Sequence, residues 1–407
     1  MKIAIFSDTF PPQINGVANV VYKSAISLTK LGHQVCVFTI SNGKDDKIND
    51  VISFEKDGIE LIRFPSMPAP VYPGYRLALP IGIAIEKLRR FHPDIIHTHT
   101  PFSIGWSLIG PAKLLHIPIV GTHHTFYDHY LKHAHLDYDW AKRLTWSFTL
   151  DYYNRCDLVL SPSQSLADQL QSHGLKKPFE ILSNSVDTDL FCPVPDEKAK
   201  KLLKKSFDIK GESLVYMGRL SYEKSVDQVI KATAEVVKKI PTIKLMIIGD
   251  GPERENLEKL AHKLKISDNV LFVGFKQNQE LVEALQANDL FLTASKTENM
   301  PLSVIEAMAV GLPVVAADAL GMPEIAQDGV NGYIFTPDSW KEMSEKIITI
   351  LEDKNLLDKF ATASREASLL HSEICLTKKL ESIYKKLIAR SSKRTFLKKI
   401  SDKLKQL

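Results

Sequence analysis

Short apolar runs alternate with helical stretches along this chain, and the alternation restarts once, near residue 200. In the first half, the apolar runs predict buried strands at 2–6, 34–40, 59–64, 95–97, 117–121, 158–161 and 180–182. Strands that are apolar without interruption are buried on both faces, which is typical of a parallel sheet covered by helices on both sides. The first half therefore predicts one doubly wound α/β unit.

The second half repeats the pattern, with strands predicted at 213–217, 243–248, 270–273, 289–293 and 314–316 and helices between them. A length of 407 residues suits two domains of ordinary size. We expect two doubly wound Rossmann-like domains facing a central cleft. Their predicted bounds are 1–186 and 201–380, with a linker at 187–200 that contains Pro193 and Pro195, and a helix with a basic tail at 381–407.

Composition narrows the class of protein. The 44% hydrophobic and 25% charged content is that of a soluble globular chain, and no window approaches the roughly 18 to 20 apolar residues of a spanning helix. The start is too short and too soon acidic for a signal peptide. Four scattered cysteines lack metal-ligand spacing, so we expect reduced thiols and a cytoplasmic protein.

Ligands of doubly wound sheets bind beyond the carboxyl ends of the strands. The informative residues follow predicted strands: Gly16, His123 and His124, Gly218 and Arg219 with Lys224, Gly249, and Glu298. The guanidinium group of Arg219 can bind two oxygens and the ammonium group of Lys224 is a point charge, so the two side chains could bind two phosphates. The alternative is that both are solvated surface charges.

Glu298 and Glu306 bracket the start of a predicted helix that Pro301 opens and Gly311 ends. A helix N-terminus favours negative charge, so two acids there are unhelpful for a phosphate and suggest sugar hydroxyls as their ligands. The alternative is a capping box, Ser303 to Glu306, that only starts the helix.

The segment 297–308 resembles the Glu-x7-Glu motif of the retaining family 4 glycosyltransferases, which have the two-Rossmann GT-B fold. Segments 218–224, 248–253 and 184–191 also resemble that family, and the resemblance runs from Lys2 to about residue 385. Within the family, segments 8–17, 97–105 and 122–130 look most like the lipid glycosyltransferases that make monoglucosyldiacylglycerol. The chain departs from its relatives at Ser185 and at Asn299 and Met300.

The resemblance implies roles for individual residues. Arg219 and Lys224 would bind the donor diphosphate, Glu306 the ribose and Glu298 a hydroxyl of the transferred sugar. Gly16 would let the backbone approach the donor phosphates, unless it belongs to an ordinary Asn-Gly turn. Gly249 would belong to the donor site, and His124 would lie near the donor sugar and the acceptor hydroxyl. No clear carboxylate nucleophile is present, so same-face attack is expected.

A metal site is the alternative for the histidines at 123, 124, 129, 133 and 135. His129 and His133 have helical i, i+4 spacing, but no His-Glu-x-x-His arrangement accompanies them. Enzymes of the resembled kind usually need no metal. We therefore expect no metal and no cofactor beyond a nucleotide-sugar substrate.

Two stretches predict contact with a lipid surface. Residues 390–407 carry seven Lys or Arg against one acid, and 394–407 would place apolar and basic residues on opposite helical faces. Segment 70–80 combines aromatic and apolar residues, although both stretches have alternatives: a solvated tail and ordinary packing under the first sheet. The charge is too local for a nucleic-acid-binding domain.

The sequence therefore predicts a retaining hexosyltransferase that moves glucose from UDP-glucose to 1,2-diacylglycerol, peripherally associated with the inner face of the cell membrane. The alternatives are a GDP-mannose-dependent mannosyltransferase acting on a phosphoinositide or another lipid, a nucleotide-sugar epimerase with the same fold, and a binding module without activity.

Overall fold

The structure, a computed structural model, describes residues 1–13, 15–41, 57–68, 76–78, 83–124 and 138–404, with the backbone alone at 83–84 and 394–404. Most of the predicted interfacial segment 70–80 lies outside the described residues. The histidines at 129, 133 and 135 and the side chains of the predicted amphipathic tail do so as well. The chain forms two compact units, 1–183 with 373–407, and 184–372.

The sheet of the first unit is parallel throughout. Among the described residues, its seven strands run in the order β3-β2-β1-β6-β7-β8-β9. They are β1 (Lys2–Phe6), β2 (Gln34–Ile40), β3 (Ile59–Phe64), β6 (Ile95–Thr98), β7 (Ile119–Thr122), β8 (Leu158–Ser161) and β9 (Phe179–Ile181). Every strand predicted in this half is present. A short antiparallel pair, β4 (Ser66–Pro68) and β5 (Arg76–Ala78), was not predicted.

Helices separate these strands, as the alternation predicts. They are α1 (Gly16–Lys30), α2 (Ile83–Phe91), α3 (Ser103–Leu115), α4 (Asp139–Tyr153) and α5 (Gln164–Ser172). The apolar side of α1 packs on the sheet through Val21, Ala25 and Leu28, which are all fully buried. Helix and strand residues thus share one core.

The second unit has its own parallel sheet, with six strands among the described residues in the order β12-β11-β10-β13-β14-β15. They are β10 (Ser213–Met217), β11 (Lys244–Ile248), β12 (Val270–Gly274), β13 (Leu290–Thr293), β14 (Val314–Ala317) and β15 (Gly332–Phe335). Its helices are α6 (Glu197–Ser206), α7 (Val226–Lys239), α8 (Arg254–Lys263), α9 (Asn278–Gln286), α10 (Leu302–Ala309), α11 (Trp340–Glu352) and α12 (Lys354–Leu369). All five predicted strands are present, and β15 was missed.

The strand orders locate a switch point in each sheet. In the first sheet, β1 lies between β2 and β6; in the second, β10 lies between β11 and β13. On either side of β1 and of β10 the chain winds in opposite directions, which opens a crevice at the carboxyl ends of the strands. The loops after β1, β6, β10 and β13 are therefore placed to bind ligands.

The last helix, α13 (Glu373–Leu404), belongs to the first unit. Leu380, Ile383 and Tyr384 join the core that α1 forms with β1 and β2. The predicted closing helix at 366–390 is in fact interrupted between α12 and α13. His371 O in this break accepts a hydrogen bond from Val186 N at 2.9 Å, within the second unit.

The structure divides the chain differently from the predicted bounds 1–186, 187–200, 201–380 and 381–407. The change of unit falls at 183/184, and 187–200 packs with the second unit instead of forming a separate linker. Phe191 is 4% exposed and lies in that unit's core, while Asp196 Oδ1 accepts from Ala199 N at 2.7 Å and starts α6. Residues 373–380, assigned by prediction to the second domain, belong to the first unit because of the core contacts of α13.

None of the described helices is both long and apolar enough to span a membrane.

Candidate functional site

An ion pair joins the two loops that flank the switch point of the second sheet. Lys224, seven residues after β10, pairs through Nζ with Oε1 of Glu298, five residues after β13. Both side chains are partly buried, with 22% and 24% of their surfaces exposed. The structure therefore brings together two predicted site residues that are 74 positions apart in the sequence.

This pairing changes one interpretation. The resemblance assigns separate ligands to the two side chains, a phosphate to Lys224 and a sugar hydroxyl to Glu298. In the structure, the charge of Lys224 is compensated by Glu298. A partly buried cation with a fixed counter-charge loses less free energy by desolvation than an isolated one. The ion pair holds both groups in position at the switch point.

Arg219 lies at the start of the loop that follows β10. Its side chain is exposed and makes no hydrogen bond or ion pair with other described residues. Its backbone carbonyl accepts a hydrogen bond from the Tyr216 hydroxyl at 3.2 Å, so the backbone of the loop is anchored while the guanidinium group is free to meet a ligand. Burial raises the pKa of Tyr216, and the carboxylates of Glu298 and Glu223 raise it further.

The loops after β10 and β11 are in direct backbone contact. Gly249 has a φ of +136°, and a Cβ built on it would lie 1.9 Å from Gly218 O. Gly218 N donates to Ile248 O at 3.0 Å, and Leu220 N donates to Asp250 O at 3.0 Å. Glycine is required at 249 by this close approach, so the residue positions the loop that carries Arg219 and Lys224. Whether it also contacts a donor stays a prediction.

Replacing Gly249 with alanine is expected to lower the free energy of unfolding by about 3 kcal/mol, since a strained φ and an overpacked contact each cost roughly 1 to 3 kcal/mol. Urea unfolding measures the change. Gly329→Ala is the matched control: its φ is +73°, but its Cβ would have no atom within 4 Å. The control should lose only about 1 kcal/mol. Equal losses for the two variants would contradict the steric argument.

The loop that carries Glu298 is held by contacts that the sequence did not reveal. Asn184 Nδ2 donates to Met300 O at 2.7 Å. A Cβ built on Gly321 would lie 1.8 Å from Asn299 O, so Gly321 is the residue against which this loop packs. Met300 is 6% exposed and points into the core of the unit. At the two positions where this chain departs from the usual family pair, the side chains and backbone are therefore fixed by packing.

Glu306 lies in the second turn of α10 and is half-buried. The capping-box alternative is wrong, because the N-cap residue of this helix is Pro301, whose side chain accepts no hydrogen bond. Ser303 already lies inside the helix. The helix therefore starts without a capping box between Ser303 and Glu306.

In the first unit, Asp8 connects the loops on both sides of the switch point. Its carboxylate accepts hydrogen bonds from Thr100 Oγ1 at 2.7 Å, Ser103 Oγ at 2.5 Å and Ile104 N at 3.0 Å. The last of these satisfies an amide in the first turn of α3, whose own N-cap residue, Phe102, supplies no side-chain acceptor. Burial raises the pKa of Asp8, and these hydrogen bonds oppose the rise.

Gly16 is the first residue of α1 and is exposed. Asn15 is the N-cap residue, and its Oδ1 accepts from Ala18 N at 2.8 Å, so the Asn-Gly turn alternative is wrong. A Cβ built on Gly16 would meet no atom within 4 Å, and its φ is not in the left-handed region. The described residues therefore do not require glycine here, which favours a ligand as the reason for it.

Four histidines cluster at the carboxyl ends of β6 and β7. His99 Nδ1 lies 2.9 Å from His124 Nε2, and the His97 and His99 rings lie 4.1 Å apart. His97 hydrogen-bonds through Nδ1 to the Tyr384 hydroxyl and through Nε2 to Thr122 Oγ1, both at 2.6 Å. The sequence predicted His124 as a site residue but gave no role to His97, which lies in β6, or to His99, which follows that strand.

Burial keeps these imidazoles neutral. It lowers the pKa of His97 and of His123 to about 3 and that of His124 to about 4. Burial also lowers the pKa of His99, with His97 and His124 adding to the effect. Between two neutral rings, one N–H must donate to the other nitrogen's lone pair.

The direction of the His99–His124 hydrogen bond follows from the other nitrogen of His99. His99 Nε2 is buried and has no hydrogen-bond partner among the described residues. If it carried the proton, a buried donor would be left unsatisfied, which is costly. We therefore assign the proton to His99 Nδ1, which donates to His124 Nε2. His124 then carries its own proton on Nδ1, as a donor for a ligand.

The neutral histidines make stability depend on pH. An unfolded histidine binds a proton below about pH 6.5, whereas these folded histidines bind one only near pH 4 or lower, so stability falls as pH falls through that window. His97→Gln keeps both hydrogen bonds possible and should reduce the slope between pH 6 and 5 by about 1.4 kcal/mol per pH unit. Urea unfolding at several pH values measures it. The exposed His262→Gln is the control, and an unchanged slope in His97→Gln would contradict the assignment.

Comparison with known proteins identifies the family. The family described as "Glycosyltransferase Family 4" matches residues 14–190, and the family described as "Glycosyl transferases group 1" matches residues 197–367. The alpha-monoglucosyldiacylglycerol synthase of Streptococcus pneumoniae is 30% identical over 76% of this chain and 70% of its own length. The chain belongs to glycosyltransferase family 4.

Two further relatives have names that specify different sugars. The alpha-monoglucosyldiacylglycerol synthase of Acholeplasma laidlawii is 28% identical over 97% of this chain and 99% of its own length. The GDP-mannose-dependent alpha-mannosyltransferase of Corynebacterium glutamicum is 27% identical over 84% of this chain and 78% of its own length.

Solved structures confirm the predicted GT-B fold class. HepE from Anabaena, in complex with UDP, has a TM-score of 0.78 at 20% identity and covers 95% of this chain and 100% of its own. HepE has also been solved with UDP-glucose. Sucrose-phosphate synthase from Thermosynechococcus elongatus has a TM-score of 0.78 at 21% identity, covering 96% of this chain and 99% of its own. This family 4 glycosyltransferase therefore consists of two doubly wound domains.

Proposed function

We propose that this glycosyltransferase moves glucose from UDP-glucose to 1,2-diacylglycerol with retention of configuration. The observation that carries the proposal is the Lys224–Glu298 pair at the switch point of the second sheet, with Arg219 preceding Lys224 in the loop after β10. In the proposal, the cation of this pair would bind phosphate and its carboxylate would bind a hydroxyl. The names of the two glucosyldiacylglycerol synthases support the choice of sugar and acceptor.

The donor diphosphate gains negative charge as the glycosidic bond breaks. Fixed cations directed at that developing charge are a large catalytic contribution. Arg219 would bind two phosphate oxygens through its fork, and Lys224 would act as a point charge. In the first unit, the resemblance assigns to Gly16, the first residue of α1, a close approach of the backbone to a phosphate. No step in this scheme needs a metal or another cofactor.

The carboxylates would recognise hydroxyl groups. Glu306, in the second turn of α10, would accept hydrogen bonds from the two vicinal ribose hydroxyls. Glu298 would accept one from a hydroxyl of the transferred glucose and keep Lys224 in place. A carboxylate that must accept a hydroxyl rejects ligands that lack one, because the buried acceptor would then be left unpaired.

Retention would follow from same-face attack. The acceptor oxygen forms the new bond to the anomeric carbon while the electron pair of the old glycosidic bond moves to the diphosphate. The acceptor proton passes to the leaving phosphate oxygen. Neutral His124, with its proton on Nδ1, would donate a hydrogen bond near the transferred sugar. A glycosyl adduct trapped on Glu298, or on Asp128 outside the described residues, would contradict this scheme.

The lipid acceptor implies work at a membrane surface. We propose that the protein is cytoplasmic and peripheral, and that the basic tail at 390–407 contributes to binding an anionic bilayer, as its composition predicts. Removal of 391–407 should weaken binding to vesicles more at low salt than at high salt and leave donor binding intact.

Nucleotide choice separates the first candidate from the second. The mannosyltransferase relative favours GDP-mannose as the alternative donor. A thermal-shift comparison should show stabilisation by UDP well above that by GDP at equal concentration, since a ligand stabilises only the state that binds it. Stabilisation by GDP alone would favour the mannosyltransferase. Binding of either nucleotide without hydrolysis or transfer of its sugar would favour a binding module.

A further inference from the structure

The outer face of α4 carries an apolar stripe. Trp140, Leu144 and Phe148 are spaced one helical turn apart and are 58%, 63% and 42% exposed. Tyr138, just before the helix, is 57% exposed, and its ring stacks with that of Trp140 at a centroid distance of 6.4 Å. The opposite face of the helix is buried in the core through Ala141, Thr149 and Tyr152. The helix is therefore apolar on two sides, of which the domain core covers one.

Basic residues adjoin the stripe. A concavity of about 820 Å³ along one flank of α4 is lined by Lys142, Arg143, Lys176 and Asn154, with the acid Asp139 at its edge. At the end of the stripe, Arg155 lies 5.3 Å from the centroid of the Trp106 ring, and Trp106 packs on Phe148. Arg155 also pairs with Asp151 at 3.0 Å. Among these described residues, Lys142, Arg143, Lys176 and Arg155 are basic, and Asp139 and Asp151 are acidic.

We propose that α4 is a membrane-binding element, with the stripe among the acyl chains of an anionic bilayer and the basic flank at its headgroups. An exposed apolar stripe beside cations is the pattern of a helix that lies in the interfacial plane. Tryptophan and tyrosine at its start suit the boundary between headgroups and acyl chains. This element is distinct from the C-terminal tail.

The area of the stripe favours a bilayer over a second copy of the chain. Aromatic and large aliphatic side chains that are roughly half exposed present on the order of 400 Å² in total. A stable protein–protein interface buries about 800 Å² on each partner. A bilayer needs no complementary protein surface, and the net positive charge of the flank suits its anionic headgroups.

Co-sedimentation of the full chain with vesicles tests the proposal. The vesicles contain phosphatidylglycerol and phosphatidylcholine in equal parts, without diacylglycerol or donor, so that a failure here is separate from a failure of the proposed reaction. Leu144→Ser with Phe148→Ser should lower the partition coefficient at least about tenfold, since each side chain loses most of its apolar transfer free energy. Arg143→Gln with Lys176→Gln should weaken binding to these vesicles but not to phosphatidylcholine alone.

The matched control makes the same chemical change elsewhere. Leu202 and Phe275, in the second unit, are 62% and 55% exposed, and Leu202→Ser with Phe275→Ser should leave the partition coefficient unchanged. Tryptophan fluorescence should shift to the blue with vesicles, and Trp140→Phe should remove most of the shift while binding persists.

Three results would overturn the proposal. One is wild-type protein that does not bind the vesicles, and another is equal losses in the stripe and control variants. The third is a stripe variant that loses self-association in sedimentation velocity but keeps vesicle binding, which would assign the stripe to a second copy of the chain.

Discussion

Lys224→Met should lower kcat by about 10²- to 10³-fold, the usual effect of removing one group that stabilises charge in the transition state. The lysine lies at the switch point of the second sheet and is only 22% exposed. Methionine keeps the length of the side chain and removes the charge. The affinity for UDP should fall less than kcat, because the charge on the diphosphate is greatest as it leaves. Steady-state kinetics with isothermal titration of UDP measures both.

The control for this variant removes a similar ion pair away from the site. Lys231, on α7, pairs with Asp227 at 2.8 Å. Lys231→Met should leave kcat within about twofold, because an exposed pair on a helix contributes less than 1 kcal/mol. A kcat for Lys224→Met within threefold of the wild-type value would contradict the assignment of Lys224 to the diphosphate.

The affinities of Glu298→Gln and Glu306→Gln for UDP and UDP-glucose should show which carboxylate binds the sugar and which binds the nucleotide. Glu306→Gln should weaken UDP and UDP-glucose alike, by about 10- to 100-fold, the usual value for a hydrogen bond to a charged group. Glu298→Gln should weaken UDP-glucose by a similar factor and leave UDP bound as tightly as before, or more tightly. The reason is that the carboxylate of Glu298 no longer competes with the phosphates for the charge of Lys224.

Titration calorimetry with both ligands measures the two effects, and Glu283→Gln on α9 is the control for the charge change. Equal weakening of UDP by both site variants would place Glu298 on the nucleotide and contradict its role at the sugar. An unchanged affinity of Glu306→Gln for UDP would contradict the assignment of the ribose to Glu306.

Much of the fold could be predicted because its strands are buried on both faces. Runs such as 213–217 and 243–248 are apolar throughout, so their pattern is unambiguous. Strands β4 and β5 were missed because Met67 and Leu77 are exposed and the pair is only three residues long on each side. The linker at 187–200 was predicted from Pro193 and Pro195. These two prolines do not show that Phe191 packs into the core of the second unit.

The candidate site could be predicted residue by residue but not as an arrangement. Arg219, Lys224 and Glu298 were predicted as site residues because each of them follows a predicted strand. The Lys224–Glu298 pair depends on β10 lying beside β13, a long-range order that the sequence does not show. The same holds for His99, whose importance lies in its 2.9 Å contact with His124.

Some of the residues that position the loops of the candidate site were also not predicted from the sequence. Asn184 and Gly321 hold the loop of Glu298, and neither carries a local signal for that contact. The positive φ and close approach of Gly249, by contrast, have a signal in the Gly-Asp-Gly run at 249–251, where the small residues mark a backbone contact. The residues that hold these loops in place were thus harder to predict than the candidate site residues on them.

The most direct test of the central claim is product analysis after incubation with UDP-glucose and vesicles that contain 1,2-diacylglycerol and phosphatidylglycerol. The proposal predicts a glucosyldiacylglycerol whose anomeric proton shows the α configuration of the donor, with Lys224→Met forming at least about 100-fold less. A β-linked product would contradict retention. Transfer from GDP-mannose and none from UDP-glucose would contradict the proposed donor.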